Sequence, residues 1–288
     1  MRPLVDIETR QGVGMSNFLT RVAAVATVAV GALAASAAQA ADVSVQWFGQ
    51  AAFKIVSPGG KVIMIDPFIT RNPKTPDDMK DLAAIGPVDL ILVTHGHGDH
   101  VGDTFRLAEM TGALVAMNAD MGSTYNSIGA MDPKKLIRFN KSGPIRPIGD
   151  GITITMTHAE HSSSVSWTDP VSGKAQVLPG GEPSGYIIRL ENGYRIYHAG
   201  DTGVFGDMAF IGKYYKPDLA LLPIGGHFTM GPQHAAYAIR ELLRTPNVVP
   251  MHYGTFPPLK GTPEKLIEAL GNAPTNVIVM QPGEIRQF

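Results

Sequence analysis

The 288-residue sequence contains no cysteine. A disulfide framework and a thiolate metal site are therefore excluded, and a metal ion can be bound only through nitrogen and oxygen. Charged side chains are also scarce, at 17% of residues, and the formal net charge is −1. This balance does not indicate a basic surface, so we expect no nucleic acid partner.

Residues 1–40 have the composition of a targeting segment. An alanine-rich apolar run at 22–38 follows Arg21 and leads into Ala38-Gln39-Ala40. A basic flank, a short apolar core and an A-x-A site are typical of a secretory signal peptide. We predict cleavage after Ala40, which leaves residues 41–288 as one mature domain without a stable membrane anchor. Met15 is an alternative start.

An uncleaved membrane anchor is the alternative interpretation of this segment. The run contains Thr27 and Gly31, and it is marginal for the roughly 20 apolar residues that a spanning helix needs. No twin-arginine pair is present, so general secretion and a periplasmic location are expected.

Three histidines and one aspartate lie close together in Thr94-His95-Gly96-His97-Gly98-Asp99-His100. The stretch follows residues 88–93, an apolar segment of strand length. His95 and His97 alternate, so they can point to one side of an extended backbone, while Asp99 and His100 reach a second point. Imidazole and carboxylate suit Zn²⁺, with Mn²⁺ and Fe²⁺ as alternatives. The pattern predicts a metal site at the end of a strand.

Further candidate ligands follow later predicted strands. His158 and His161 come after residues 152–156, Asp201 after 194–198 and His252 after 248–251. Loops at strand ends are where a scaffold gathers chemistry. The count of candidates predicts two metal sites.

One predicted site combines His95 and His97 with His158 or His161, and the other combines Asp99, His100 and His252. Asp201 either bridges the two ions or caps a following helix. Two ions about 3.5–4 Å apart can share an activated water, so no protein nucleophile is needed. Asp99 and Asp201 are then the catalytic carboxylates, because they bind metal and also orient the reacting groups.

The other histidines are assigned smaller roles. His198 precedes the Asp201 loop and is expected to support the ligands. His227 is a candidate for substrate contact. His234 lies in the first turn of a predicted helix at 232–244, where we expect it to be exposed to solvent.

Strands and helices interleave along the chain, which indicates a layered α/β architecture. Asn192-Gly193 predicts a hairpin between residues 186–190 and 194–198. Residues 133–147 read as irregular, and residues 170–183 read as a long loop and a candidate substrate-facing flap. The last strand is predicted at 277–280.

The ordered set His95-x-His97-x-Asp99-His100, His161, Asp201 and His252 resembles the metallo-β-lactamase superfamily over residues 43–288. Further motifs resemble its branch of poorly characterised metal-dependent hydrolases, which is related to ascorbate-6-phosphate lactonase and N-acyl-phosphatidylethanolamine phospholipase D. These motifs are Trp47-Phe48-Gly49, His198-Ala199-Gly200-Asp201-Thr202-Gly203, Leu222-Pro223-Ile224-Gly225, Phe228-Thr229-Met230-Gly231-Pro232 and His252-Tyr253-Gly254-Thr255-Phe256.

The resemblance implies a four-layer αββα sandwich with a dinuclear site at one edge. It also implies that His161 is the ligand, because Thr157-His158-Ala159-Glu160-His161 matches a Thr-Pro-x-x-His pattern with His158 at the proline position. Two positions depart from the family: Gln50 stands where histidine is frequent, and His234 stands where relatives often have an acidic residue. Both departures are expected to affect which substrate is accepted rather than the binding of the metals.

These observations predict a periplasmic hydrolase with two divalent ions, Zn²⁺ first and Mn²⁺ as the alternative. Its small-molecule substrate would be a lactone or phosphodiester, ahead of a β-lactam, and the oligomeric state is left open. A second interpretation is a binding protein without turnover, which the complete set of seven ligand positions argues against. A third is a di-iron oxidoreductase, but the ligand set with His97 is hydrolase-like.

Overall fold

The computed structural model describes residues 42–288, so the predicted signal peptide and its cleavage site lie outside the described residues. Among the residues that it describes, no helix combines the length and hydropathy that a membrane crossing requires.

The first sheet has seven strands and is antiparallel on one side and parallel on the other. Its strands are β1 (Ser44–Trp47), β2 (Phe53–Val56), β3 (Val62–Ile65), β4 (Leu90–Leu92), β5 (Leu114–Asn118), β6 (Leu136–Phe139) and β16 (Ile285–Gln287). They lie in the order β16-β1-β2-β3-β4-β5-β6. The pairs from β16 to β3 are antiparallel, and those from β3 to β6 are parallel.

The second sheet also has seven strands and is also part parallel and part antiparallel. Its strands are β7 (Pro144–Ile145), β8 (Thr153–His158), β11 (Ser184–Arg189), β12 (Arg195–His198), β13 (Leu219–Pro223), β14 (Asn247–Met251) and β15 (Asn276–Val277). In the order β15-β14-β13-β12-β11-β8-β7, strands β12 to β15 are parallel and the rest antiparallel. A separate hairpin pairs β9 (Ser164–Thr168) with β10 (Ala175–Pro179).

Short helices connect the strands. The α-helices are α1 (Gly98–Val101), α2 (Thr104–Thr111), α3 (Ala119–Ser127), α4 (Met208–Phe210), α5 (Pro232–Tyr237) and α6 (Pro263–Leu270). The chain continues α4 and α5 as π-helical turns, Ile211–Tyr215 and Ala238–Leu243. Three 3₁₀ turns are Asp77–Met79, Leu82–Ile85 and Pro133–Lys135. The predicted helix at 232–244 is thus confirmed in two parts, and Thr262 caps α6 by accepting a hydrogen bond from the Lys265 N–H.

Alternation along the strands produces the four layers. In β3, Ile63 and Ile65 face the core between the two sheets, whereas Met64 faces the helices. Successive side chains of a strand point to opposite faces, so a strand covered on both sides is apolar throughout. Ala220 and Leu222 of β13 likewise pack under the helices on the other sheet. The αββα sandwich predicted from the sequence is confirmed.

Three predictions of local structure were wrong. Residues 133–147 contain a 3₁₀ turn, β6 and β7, and residues 170–183 contain β10, which is paired with β9 rather than being a free loop. The last strand is β16, and the predicted strand at 277–280 is reduced to the end of β15. The strands among these elements are exposed or half-buried and lie at sheet edges. They are defined by hydrogen bonds to a distant partner strand rather than by burial of apolar side chains.

Candidate metal centre

The predicted ligands meet at one end of the sandwich, where strands of both sheets finish. His95 and His97 follow β4, Asp201 follows β12, and His252 follows β14 directly. The two sheets are tied together there, because the backbone N–H and the hydroxyl of Ser184 both donate to the Thr94 carbonyl, at 3.0 and 2.9 Å. The separation between ligands from different sheets is therefore fixed by the core.

Two glycines allow the loops to approach this closely. A Cβ on Gly96 would lie 2.7 Å from the Ser164 carbonyl oxygen, at the start of β9. Gly200 has a φ of +63°, and a Cβ there would lie 2.5 Å from the Ser184 carbonyl oxygen. A side chain at either position would displace a loop that carries ligands.

The structure forms three overlapping groups of candidate ligands. Each group offers three ligand atoms that all lie within 4.8 Å of one another. The groups are His95, His97 and His161; His95, His100 and Asp201; and Asp99, His100 and His252. The first and third are the two sites that the sequence predicted.

Asp201 lies between these two groups and uses both carboxylate oxygens. Its Oδ1 is 3.3 Å from Nε2 of His100, and its Oδ2 is 3.5 Å from Nε2 of His161 and 3.0 Å from Nε2 of His252. The alternative that Asp201 caps a following helix is wrong, because the next helix, α4, begins seven residues later at Met208. The side chain is buried among histidines instead.

Burial lowers the pKa of His95, His97 and His161, the members of the first group. Their imidazole rings are therefore neutral near pH 7 and retain a free ring-nitrogen lone pair. A neutral imidazole is the form that binds a metal ion.

The second group is electrostatically different. Burial alone would lower the pKa of His100 and His252, but the surrounding carboxylates, Asp201 foremost, hold the His100 pKa well above its usual range and raise that of His252 to about 9. Burial would raise the pKa of Asp201 and Asp99, yet the histidines beside them hold both well below the usual range. The buried carboxylates thus require cations next to them.

The polar atoms at the centre fit a metal ion better than they fit one another. His100 Nε2 and Asp201 Oδ1 are buried and have no hydrogen-bond partner among residues 42–288, although only 3.3 Å separates them. Buried polar atoms are rarely left unsatisfied. Imidazoles and two carboxylates without thiolates match a zinc or manganese donor set.

Asp66 is a functional residue that the sequence interpretation missed. Its Oδ2 accepts hydrogen bonds from Nδ1 of His100 at 2.7 Å and from the Thr94 hydroxyl at 2.6 Å, and its Oδ1 accepts from the Thr94 N–H at 2.8 Å. This fixes the proton of His100 on Nδ1 and leaves Nε2 facing the centre. The available signal was an aspartate at the end of β3.

Gln50 contacts the ligands rather than the cavity in front of them, which corrects the expectation that it bears on the substrate. Its side chain is fully buried. The Nε2 group donates to Oδ2 of Asp99 at 2.8 Å and lies 2.7 Å from Nε2 of His252. Gln50, Asp66 and His252 all have positive φ values, of 51°, 45° and 56°. Strained backbone of this kind concentrates at functional sites.

His198 supports the Asp201 loop from behind. Its Nε2 donates to the Ala51 carbonyl at 3.0 Å, and its Nδ1 accepts from the Gly200 N–H at 3.1 Å. Burial lowers its pKa, so the neutral ring keeps this arrangement. The residue does not join the ligand groups, in agreement with the supporting role predicted for it.

His158 points away from the centre. Its ring packs edge-on against Phe205 at 5.0 Å, and its nitrogens lie 3.3 Å from Nζ of Lys141 and from Oε2 of Glu160. His161, by contrast, is in ring contact with His95 and His97, at centroid distances of 5.1 and 5.2 Å.

We expect His161→Ala to remove metal from one site, since it deletes one of the three ligands of the first group. His158→Ala is the matched control and should leave the metal-to-protein ratio unchanged. Elemental analysis of both purified variants measures this ratio. The reverse pattern would assign the ligand role to His158.

A cavity of about 660 Å³ lies in front of the ligands. Its wall includes Phe228 but not the neighbouring His227, which is exposed at a positive φ of 63°. The substrate contact suggested for His227 stays a prediction. His234 is exposed, as predicted. No residue of the candidate flap at 170–183 lines the cavity, and residues 175–179 of that segment pair with β9.

Comparison with known proteins agrees with this geometry. A profile of the β-lactamase superfamily domain matches residues 61–253. A protein of Polaromonas sp. named UPF0173 metal-dependent hydrolase is 53% identical over 244 residues, which cover 85% of this chain and 89% of that protein. A protein of the same family name from Cupriavidus taiwanensis is 55% identical over 246 residues, with 85% and 86% coverage.

Solved structures show the same architecture. A metallo hydrolase from the archaeon Ignicoccus hospitalis is 37% identical, with a TM-score of 0.73 and coverage of 86% of this chain and 98% of that chain. The metallo-β-lactamase fold protein YhfI of Bacillus subtilis is 13% identical with a TM-score of 0.63, covers 86% of this chain and 100% of its own, and shares the fold alone. The narrower branch indicated by the sequence motifs stays a prediction.

Proposed function

This chain belongs to the β-lactamase superfamily and is a metal-dependent hydrolase, and on that premise we propose that it is an exported dinuclear enzyme acting on a lactone or a phosphodiester. Zn²⁺ is the favoured ion and Mn²⁺ the alternative, because all donors are nitrogen and oxygen. The proposed ligands are His95, His97, Asp99, His100, His161, Asp201 and His252.

The observation that carries the proposal is the position of Asp201. Its Oδ1 faces His100 and its Oδ2 faces His161 and His252, so this one carboxylate lies beside members of both predicted sites. A carboxylate can bind two ions at once, whereas each histidine here presents one ring nitrogen to the centre. This arrangement supports two ions rather than one.

A bound pair of divalent ions supplies Lewis-acid polarisation of the substrate and lowers the pKa of a water molecule to about 7. The chain's own residues do the positioning. Asp66 orients His100, Gln50 holds the Asp99 carboxylate, and His198 holds the Gly200 turn beside Asp201. The partly exposed Asp99 faces the cavity, where it can orient the substrate.

The substrate class rests on the sequence motifs and on the cavity. The motifs resemble a branch related to a lactonase and a phosphodiesterase. A lactone and a phosphodiester are therefore both favoured as substrates over a β-lactam. A cavity of about 660 Å³ accommodates a small molecule. The alternative of a silent binding protein on the same scaffold is disfavoured, because all seven ligand positions converge.

An activity screen tests this proposal. We expect zinc-loaded residues 41–288 to hydrolyse a lactone or bis(para-nitrophenyl) phosphate in preference to a penicillin. Activity should disappear on chelation and return when zinc is restored, because bound ions would polarise the substrate and activate the water. Asp207→Ala, which changes an exposed carboxylate between β12 and α4, is the matched control and should retain activity. Hydrolysis of the penicillin alone, or none at all, would refute the proposed substrate class.

Export is tested separately. We expect the mature form in a periplasmic fraction to begin at Ala41, because Ala38-Gln39-Ala40 has the small residues that signal peptidase requires. N-terminal sequencing reads the cleavage site directly. A soluble product that begins at Met1 or Met15 would contradict both the cleavage and the periplasmic location.

A further inference from the structure

The cavity wall in front of the ligand groups is apolar apart from two side chains. Among the described residues that line it, the members outside the ligand groups are Phe68, Arg71, Gly98, Ser162, Phe228, Phe256 and Leu259. Arg71 is the one charged residue in this set. The carboxylates that line the cavity, Asp99 and Asp201, already lie within ion-pair distance of His100 and His252.

The backbone that carries Arg71 is fixed on both sides. Asp103 accepts hydrogen bonds from the N–H groups of Ile69 and Thr70 at 3.0 and 2.8 Å, and from the Thr70 hydroxyl at 2.6 Å. On the other side the fully buried Asn72 donates to two backbone carbonyls and accepts from a backbone N–H. Arg71 is thus held at the cavity by its neighbours.

The Arg71 side chain itself is exposed and makes no hydrogen bond or ion pair with any residue between 42 and 288. A guanidinium group offers five donors in a planar fork that matches a carboxylate or phosphate. The guanidinium is thus available for an anion, and because the loop backbone is already fixed, only the Arg71 side chain itself must become ordered on binding.

The aromatic part of the wall faces solvent at the cavity mouth. Phe228 is 56% exposed and Phe256 is 36% exposed, and the Phe256 ring lies 6.4 Å from the largely buried Phe68 ring. Large apolar side chains that remain exposed around a cavity mark a binding surface. They match an apolar or aromatic portion of a ligand.

We propose that Arg71 is a specificity residue that binds an oxyanion on the substrate, and that the substrate is a small organic anion with an apolar or aromatic portion. This inference rests on the proposed hydrolase function and narrows it. Arg71 lies outside the ligand groups, so the anionic group that it binds is distinct from the ester or phosphodiester that is hydrolysed. A neutral compound of the same shape would lose the contact.

The test compares the binding of phenylpropionate with that of its uncharged analogue, phenylpropionamide, to the zinc-loaded protein by calorimetry. We expect Arg71→Met to weaken phenylpropionate binding about ten-fold, as for the loss of a charge-assisted hydrogen bond. The amide should bind both proteins equally, and Arg71→Lys should restore part of the affinity. Arg106→Met, which removes an exposed arginine from α2 outside the cavity, is the charge-matched control and should change nothing.

Three results would each overturn the inference. Arg71→Met could weaken the binding of both compounds equally, it could leave phenylpropionate binding unchanged, or the unsubstituted protein could bind no phenylpropionate at all. Because the readout is binding, it does not depend on turnover. A protein that binds the anion through Arg71 but hydrolyses no lactone or phosphodiester would refute the proposed function and leave the anion site intact.

Discussion

Replacing Asp201 with alanine is expected to abolish turnover and to weaken the binding of both metal ions. Both oxygens of this buried carboxylate face histidine nitrogens, Oδ1 that of His100 and Oδ2 those of His161 and His252. Its negative charge lies where it reduces the repulsion between two dications. A ligand that lies beside members of both predicted sites should therefore matter more than His97 or His252, which each belong to one of those sites.

Two further variants distinguish a bridging ligand from a structural aspartate. Asp201→Asn preserves the shape and one carbonyl oxygen, so we expect it to fold and to retain part of the metal. Asp207→Ala, on the exposed side of the same loop, should retain both ions. Metal content and melting temperature are measured on each. A fully loaded Asp201→Ala protein with only a lower melting temperature would show that the bridging role is wrong.

Asp66→Asn is expected to disable the metal centre without touching a ligand. In the native protein Nδ1 of His100 donates to Oδ2 of Asp66. If the asparagine oxygen keeps its bond to the Thr94 N–H, the amide nitrogen replaces Oδ2 and donates to Nδ1 of His100. The imidazole proton then moves to Nε2, the atom that must face the ion.

Loss of such a supporting partner typically lowers metal affinity or activity about 10–100-fold. Calorimetric titration of zinc into the metal-stripped variant measures the affinity, and nitrogen NMR of the His100 ring reads the tautomer. Asp89→Asn is the matched control, because Asp89 also accepts a backbone N–H beside a strand, from Val62, but pairs with Lys61 rather than with a histidine. Unchanged zinc affinity in Asp66→Asn would exclude the positioning role.

The sequence predicted which candidate ligands converge, because each one follows a strand. Apolar segments ending in His95, Asp201 and His252 are local patterns, and parallel neighbours bring their ends to one edge of a sheet. The interleaved strands and helices predicted a layered α/β architecture, and the family resemblance implied its four-layer form. Double-sided burial gives strands such as β4 and β13 a continuous apolar composition.

The remaining features depend on contacts between distant parts of the chain. Asp66 acquires its role only when β3 and β4 pair in parallel and bring it beside Thr94 and His100. The strand β10 is defined by β9 rather than by its own composition. The position of Arg71 depends on hydrogen bonds that the neighbouring backbone N–H groups donate to Asp103, 32 residues further along the chain. No local pattern encodes these relationships.

Metal stoichiometry tests the central claim, a dinuclear centre, most directly. The mature protein, purified without chelator and reconstituted with zinc, should hold about two ions per chain by elemental analysis. The His161→Ala protein, prepared in parallel, should hold about one, since the first ligand group would be incomplete. A reconstituted native protein with no metal, or with a single ion that His161→Ala does not displace, would contradict the dinuclear centre.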